Sequence, residues 1–281
     1  MSGKFSVNKI VGEIKNAEIE EEIGVYKNVC YMDILGFKEK ILKSNDDCEH
    51  YDNGKLLFQI KHIGDIVRRR IEIIDFSKKS QLKSLMISDS VYIFYQDSEF
   101  EDVLEIISLI FIYGIFSNLF YRGSISDEKM NHPSKNHEGL FIGVGIVKSY
   151  EMERDIARFP RIVISTTYDS EYLVTDDDGI RIFNIFKYIS DKYDDFSPEF
   201  NSELNKYTIF AHCKMCDEYP KECLKKIIPN YLPDTFEEFI DNVRKKIDKH
   251  LEKENRAVPK IYSKYFELYN SSKEEKFNGK K

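Results

Sequence analysis

Two apolar, strand-like runs in this chain each carry a single carboxylate: Tyr31-Met32-Asp33-Ile34-Leu35-Gly36-Phe37 and Ile87-Ser88-Asp89-Ser90-Val91-Tyr92-Ile93-Phe94. An ionised carboxylate is costly to bury unless something pairs with it. A fold that brings both runs into one sheet must therefore leave the two aspartates where a cation can reach them. The partner that fits best is a divalent ion completed by phosphate, because Mg²⁺-type ions are held by one or two carboxylates plus phosphate oxygens.

What surrounds each aspartate sharpens this. Val25 to Ile34 reads as one strand, Gly36 breaks it, and Phe37 to Leu42 begins a helix. A glycine at a strand–helix junction lets backbone N–H groups turn toward a ligand, and the helix N-terminus adds partial positive charge, which makes a phosphate cradle. Gln81 to Ile87 and Ser90 to Tyr95 read as a hairpin with Asp89 at its tip. Two carboxylates facing each other there can hold two metal ions that clamp the attacking and leaving oxygens of an in-line phosphoryl or nucleotidyl transfer. Arg122 opens the next strand-like run, Arg122-Gly123-Ser124-Ile125, and suits a phosphate because a guanidinium forks onto anionic oxygens. Taken singly, each aspartate reads as a turn residue or helix cap, and Arg122 as a solvated surface residue. Their order and placement together carry the functional reading.

The rest of the chain alternates element types. Asn45 to Gly54 is polar and turn-like; Leu56 to Phe76 has helical apolar spacing, with Arg68, Arg69 and Arg70 on or near its exposed side. Glu101 to Phe120 is a long apolar helix, and Ser126 to Glu138 a polar loop. Leu140 to Gly145 reads as a strand and Ile146 to Arg158 as a helix, closed by Phe159-Pro160. Arg161 to Ser165 and Gly179 to Phe186 read as strands. The mixture predicts an α+β fold, a ferredoxin-like sheet with helices packed on it. From about Ser190 the pattern becomes a helical C-terminal appendage, with helices at Thr235 to Lys253 and Ile261 to Tyr269. The expected divisions are a lead-in over 1–24, the main domain over 25–187, a mostly helical region over 188–271 and a disordered tail over 272–281.

Bulk properties narrow the function classes. A net charge of −7 over 281 residues argues against a mainly electrostatic nucleic-acid binder. The longest uncharged run, Ile106 to Tyr121, is shorter than the roughly 20 residues of a membrane span, and the polar stretch Met1 to Lys9 is unlike a signal peptide. Five cysteines, an odd number, fit a reducing cytoplasm. Cys213, Cys216 and Cys223 with His212 have C-x-x-C spacing, but a structural zinc site wants four ligands, and adjacent His–Cys rarely reach one metal, so packing is the better reading. The 18 tyrosines lack basic clustering and read as packing residues.

Five segments in this order resemble the class III nucleotide cyclase domain: Asp33-Ile34-Leu35-Gly36-Phe37, Ser88-Asp89-Ser90-Val91, Arg122-Gly123-Ser124-Ile125, Phe141-Ile142-Gly143 leading into a helix, and Pro160-Arg161-Ile162-Val163-Ile164-Ser165. The resemblance spans about residues 25–187 and is strongest to the pyrimidine (uridylate or cytidylate) cyclases of the bacterial Pycsar antiphage system. It implies that Asp33 and Asp89 bind two Mg²⁺ or Mn²⁺ ions per site, with the Ile34 carbonyl as a further ligand. It also implies that the N–H groups of Leu35, Gly36 and Phe37 hold the β- and γ-phosphates, with Arg122 as a phosphate-binding arginine. The implied reaction converts UTP, or less readily CTP, to the 3′,5′-cyclic nucleotide and pyrophosphate. The implied partners are a second copy of the chain, with sites at the homodimer interface, and a separate cyclic-nucleotide-activated effector; no nucleic acid and no membrane insertion are implied.

The chain departs from that family in three places. Val147 and Glu151 align with the family's transition-state asparagine and arginine, with Lys148, Arg154 and Arg158 as nearby cations. Leu85 and Leu140 fall where adenylate cyclases carry a base-reading lysine and aspartate, which is compatible with a pyrimidine. The loop from Ser126 to Glu138, with His132 and His137 read as surface residues, replaces a glycine-rich turn. The first departure motivates a second reading, a catalytically inactive cyclase-homology domain serving as nucleotide sensor or dimerisation module. A third is a different two-metal phosphotransferase on a similar sheet.

Overall fold

Asn28 to Ile34 is buried at every position except Asp33, the pattern of a strand covered on both faces. In the computed structural model, which describes residues 24–38, 41, 49–117, 119–132, 141–157, 160–165, 168–176, 179–193, 237–242 and 245, this strand is central. The elements are β1 (Gly24–Tyr26), β2 (Asn28–Ile34), α1 (Glu49–Lys78), β3 (Lys83–Ile87), β4 (Ser90–Tyr95), α2 (Phe100–Phe116), β5 (Tyr121–Ser126), β6 (Met130–His132) and β7 (Ile142–Gly143). They continue with α3 (Val144–Asp155), β8 (Ile162–Ile164), β9 (Leu173–Thr175), β10 (Arg181–Phe183) and α4 (Ile185–Asp191).

A seven-stranded sheet runs in the order β3-β4-β2-β5-β8-β10-β9, and a second sheet in the order β1-β6-β7. The segment β2-α1-β3-β4-α2-β5 gives the spatial order β3-β4-β2-β5, all antiparallel, which is the split βαβ arrangement. β8 joins β5 in parallel, so the complete sheet is mixed and the fold is α+β. Even-numbered residues of β2 (Cys30, Met32, Ile34) join the main core, together with buried residues of α1, α2 and α4. On the other face Val29 joins Tyr26, Phe94 and Met130 in a smaller cluster, with Phe141 and Ile146 against it. Each fully buried aliphatic or aromatic side chain contributes about 1.5–3 kcal/mol through water exclusion.

Several sequence expectations change here. The single strand expected over Val25 to Ile34 is two strands, broken at Lys27, whose Nζ lies 2.8 Å from Asp97 Oδ2. The stretch 49–54, read as turn-like, is the first part of α1. Leu56, Ile60, Ile63, Val67 and Ile74 bury one stripe of that helix, and a helix propagates readily through polar residues once it is packed. Arg70 faces inward and pairs with Glu105 on α2, whereas Arg68 stays exposed beside Asp65. The apolar helix expected over Glu101 to Phe120 ends at Phe116. There the Leu119 N–H donates to the Gly114 carbonyl at 2.7 Å. Tyr121 folds back onto Gly114, where a Cβ would lie 2.5 Å from the Leu119 oxygen. No helix among the described residues is long and apolar enough to cross a membrane.

Part of the expected loop 126–138 is β6, which pairs with both β1 and β7. β9 was not foreseen, and the run expected as strand over Gly179 to Phe186 ends at Phe183. Asn184 stops it by accepting the Lys187 N–H at 3.1 Å and starting α4. Residues 237–242 are helical; Phe239 and Ile240 enter the main core, with the Phe239 ring 5.9 Å from that of Tyr193. The lead-in 1–23, Arg158, His137, Leu140, His212, Cys213, Cys216, Cys223, the helix expected at Ile261 to Tyr269 and the tail 272–281 lie outside the described residues.

α3 reaches the second face of the sheet through Gly145. A Cβ there would lie 2.4 Å from the Glu128 carbonyl oxygen and 2.9 Å from Val29 Cγ2. Gly145→Ala is expected to lower stability by about 1–3 kcal/mol, as overpacking does, read as a drop in the urea midpoint with unchanged m-value.

Candidate active site

Asp33 is the penultimate residue of β2 and stands directly across from Arg122 of β5 in the strand register. Cross-strand partners share a sheet face, so the carboxylate and the guanidinium emerge together on the side that α3 covers. Asp89 belongs to the two-residue turn between β3 and β4, where Ser88 takes a left-handed φ of 57°. Because β4 lies beside β2, that turn delivers Asp89 to Asp33.

The two carboxyl groups come within side-chain hydrogen-bonding reach of each other. Burial, first, and then the Asp89 charge and that contact push the Asp33 carboxyl up to about 7. The Glu153 charge adds to this, and the Ser90 hydroxyl, donating to Asp33 Oδ1 at 3.1 Å, opposes it. Tyr31 OH lies 3.1 Å from Ser90 Oγ; with the serine proton committed to Asp33, Tyr31 donates to the serine. The Tyr31 ring in turn lies 4.7 Å from Tyr92 and 5.9 Å from Tyr150 of α3.

Glu153 is the residue sequence reasoning missed. Gly145, Ser149 and Glu153, at four-residue spacing, form the buried stripe of α3. Ser124 of β5 donates to the Ser149 carbonyl, seating the helix on the strand that carries Arg122. Glu153 is 2% exposed and forms an ion pair with Arg122 Nε, while Arg122 is 23% exposed. Burial raises the Glu153 carboxyl and the Arg122 charge opposes that rise. A small–small–acid spacing on one face of an otherwise polar helix was the available signal.

The segment expected to cradle phosphate is partly engaged within the chain. The Leu35 N–H donates to the Phe120 carbonyl at 2.7 Å and ties the end of β2 to the start of β5. Of the three amides expected to hold phosphate, Leu35 is thus committed within the chain, which leaves Gly36 and Phe37. Gly36 has φ +72°, the left-handed conformation that glycine adopts without strain, and residues 37 and 38 are already helical. The Ile34 side chain is buried, so only its backbone can serve a ligand.

The other expected residues are placed elsewhere. Val147 is exposed on the far side of α3, and Glu151 lies 3.4 Å from Lys148 Nζ. Arg154 is held by Asp155 at 2.7 and 2.8 Å and lies over the Tyr150 ring. Leu85, on β3, packs against the smaller apolar cluster.

Among the described residues no group of three or more His, Cys, Asp or Glu is placed to hold a metal. Asp33 and Asp89 are a two-carboxylate donor set, which suits a hard divalent ion that takes its remaining oxygens from phosphate or water. The shared negative charge of the pair fits such an ion.

No family model and no curated protein matches this sequence. Among solved structures the chain is similar to a bacterial light-regulated adenylyl cyclase in two structures, at 10% and 11% identity with TM-scores of 0.39 and 0.41. These similarities cover 63% and 59% of this chain, and the chain spans 60% and 53% of those chains. It is also similar to a guanylyl cyclase at 10% identity, with a TM-score of 0.36, over 58% of this chain and 92% of that one. These likenesses bear on the fold alone.

The raised Asp33 carboxyl fixes the sign of a pH effect. Its folded-state value lies above the ordinary one of 3.8, so its contribution favours the fold at low pH and is lost as pH rises through about 7. In metal-free buffer, Asp33→Asn is expected to melt higher than the wild type at pH 8, by a few degrees. That difference should vanish at pH 4, and differential scanning calorimetry across pH 4–8 measures it. Adding Mn²⁺ at pH 8 should raise the wild-type melting point and leave that of the variant nearly unchanged.

Proposed function

We propose that this chain is a nucleotide cyclase acting on a pyrimidine nucleoside triphosphate, UTP before CTP, and releasing a 3′,5′-cyclic nucleotide and pyrophosphate. The observation that carries this reading is the contact of Asp33 with Asp89 beside Arg122, three residues from three separate strands or turns, at the open end of β2. The resemblance of the same segments to class III pyrimidine cyclases supplies the reaction, and with it a role as a signalling enzyme of antiphage defence whose product acts on a separate effector.

In this reading the triphosphate lies over the amides of Gly36 and Phe37, with the Arg122 guanidinium against its oxygens. Mg²⁺ or Mn²⁺, when bound by Asp33 and Asp89 and the Ile34 carbonyl, would neutralise the carboxylates and favour loss of the ribose 3′-hydroxyl proton. The 3′-oxygen then bonds to its own α-phosphorus, the bond from that phosphorus to the bridging oxygen breaks, and pyrophosphate leaves. The chain contributes by holding the nucleotide folded for attack and by placing charge where the phosphoryl oxygens need it. The apolar Leu85, in place of a purine-reading lysine, supports a pyrimidine base.

Exposed apolar side chains lie at Ile87, next to the Asp89 turn, and at Ile142, Val144 and Val147 at and along α3. They support a second copy of the chain docking there, with sites at the shared surface. The displacement of Val147 and Glu151 from the carboxylates favours one alternative, a domain that binds nucleotide without turning it over.

Incubation of the full-length protein with Mn²⁺ and each of the four NTPs, followed by chromatography of the products, tests the reading. Cyclic UMP and pyrophosphate are expected in excess of cyclic CMP, with none from ATP or GTP. Asp33→Ala should lower the rate by at least about 10²-fold, the scale of losing a principal charge-positioning group. Nucleotide binding without any cyclic product would support the sensor reading instead, and monophosphate or polymer would indicate a different two-metal transferase.

A further inference from the structure

Glu153 is a buried carboxylate that the reaction as described does not use. It sits on α3, the helix whose buried stripe Gly145–Ser149–Glu153 lies against β2 and β5. Its partner, Arg122, is the cation assigned to the substrate phosphates. The contact is an ion pair between Nε, on one edge of the guanidinium, and Glu153 Oε1, without the alignment of a hydrogen bond. The opposite edge, Nη1 and Nη2, has no partner among the described residues. A guanidinium offers parallel N–H bonds along either edge, so one gripped at Nε retains a forked pair for a second anion.

We propose that Glu153 is a positioning residue for the phosphate site: it holds Arg122 by the Nε edge so that the Nη edge faces the anion bound beside Asp33. This rests on the reading of Arg122 as a phosphate ligand. It assigns to α3 a role opposite in charge to that expected of it, because the helix supplies an anion that orients a strand-borne cation. Three features support orientation rather than competition. Glu153 is almost wholly buried, so it does not swing to solvent to release the arginine. The pair leaves the outward fork unengaged among the described residues. The strand register fixes the Arg122 backbone directly opposite Asp33, so only the side-chain torsions remain for Glu153 to set.

The test combines Glu153→Ala, Glu153→Gln, Arg122→Ala and the double variant Arg122→Ala/Glu153→Ala in the full-length protein, with thermal unfolding as the folding check. Calorimetric binding of inorganic tripolyphosphate, in buffer containing Mn²⁺ at the same concentration for every variant, is the first readout. Glu153→Ala should weaken it about 10–100-fold, the range for loss of an orienting partner, and Glu153→Gln, which keeps the length of the side chain without its charge, should recover only part of the loss. In the Arg122→Ala background, removing Glu153 should change affinity less than about threefold, because a residue acting through Arg122 has nothing left to orient. Tighter tripolyphosphate binding by Glu153→Ala would overturn the proposal in favour of competition. Equal losses with and without Arg122 would overturn it in favour of a purely structural role, and Glu153→Gln behaving as wild type while Glu153→Ala fails only in folding would do the same. Steady-state kinetics with UTP and Mn²⁺ give the second readout: kcat/KM should fall in parallel with tripolyphosphate affinity. If no cyclic product forms from any NTP, the cyclase reading fails while the tripolyphosphate arm still decides the role of Glu153.

Discussion

Two like charges held in contact at the end of a central strand set the terms for everything near them. With all groups ionised, Asp33, Asp89 and Glu153 together with Arg122, which pairs with Glu153, carry three negative charges and one positive, a net −2. Neither the Ser90 nor the Tyr31 hydroxyl can neutralise it; Ser90 only donates a hydrogen bond to Asp33, and Tyr31 one to Ser90. The cluster must therefore take up a proton or a cation, and the raised Asp33 carboxyl is the proton-bound solution. Under the proposed function the same imbalance would order the binding events: a triphosphate approaching the bare carboxylates would be repelled, whereas one arriving with or after a divalent cation would meet a neutralised site.

The helix α3 covers that site on the same face of the sheet, and its sequence shows how. Gly145 and Ser149 are small enough to let the helix lie close to β2 and β5, and Glu153 then falls over Arg122. Its outer surface exposes Val144 and Val147. One helix thus carries an inner stripe committed to the ionic cluster and an outer apolar stripe in need of a covering partner. A second copy docked on that outer stripe would stabilise the position of Glu153, and through it that of Arg122, so association and site geometry would be linked.

Much of this was legible in the sequence where the physics is local. The hairpin with Asp89 in its turn, the strand ending at Asp33 and the strand of Arg122 follow from period-two apolar patterning and turn residues. Their juxtaposition follows from the limited ways such elements pair. What was not legible depends on distant contacts. β6 carries the polar residues Asn131 and His132 and is a strand because β1, more than a hundred residues earlier, pairs with it. Glu153 was missed on α3 for a different reason: the aligned positions Val147 and Glu151 each lie two residues, about 200° around the helix, from the buried Ser149 and Glu153. Helix phase is set by where the chain first packs, here at Gly145, and composition does not reveal that point.

The register between β2 and β5 is the feature on which both the cation and the anion of the site hang. Asp33 and Arg122 are a direct cross-strand pair, and a slip of one residue would send one of them to the opposite face, among the apolar residues of the main core. Three contacts guard against that slip. The Leu35 N–H to Phe120 carbonyl bond pins the strand ends, Gly123 admits the Tyr31 carbonyl to within 2.3 Å of where a Cβ would stand, and β8 pairs in parallel with Gly123 to Ile125 from the other side. Arg122 therefore has almost no backbone freedom, and its guanidinium is directed from α3. A site built this way relies on strand register for coarse placement and on one buried carboxylate for fine placement. Among the residues that line it, the positive charge comes from the sheet, through Arg122.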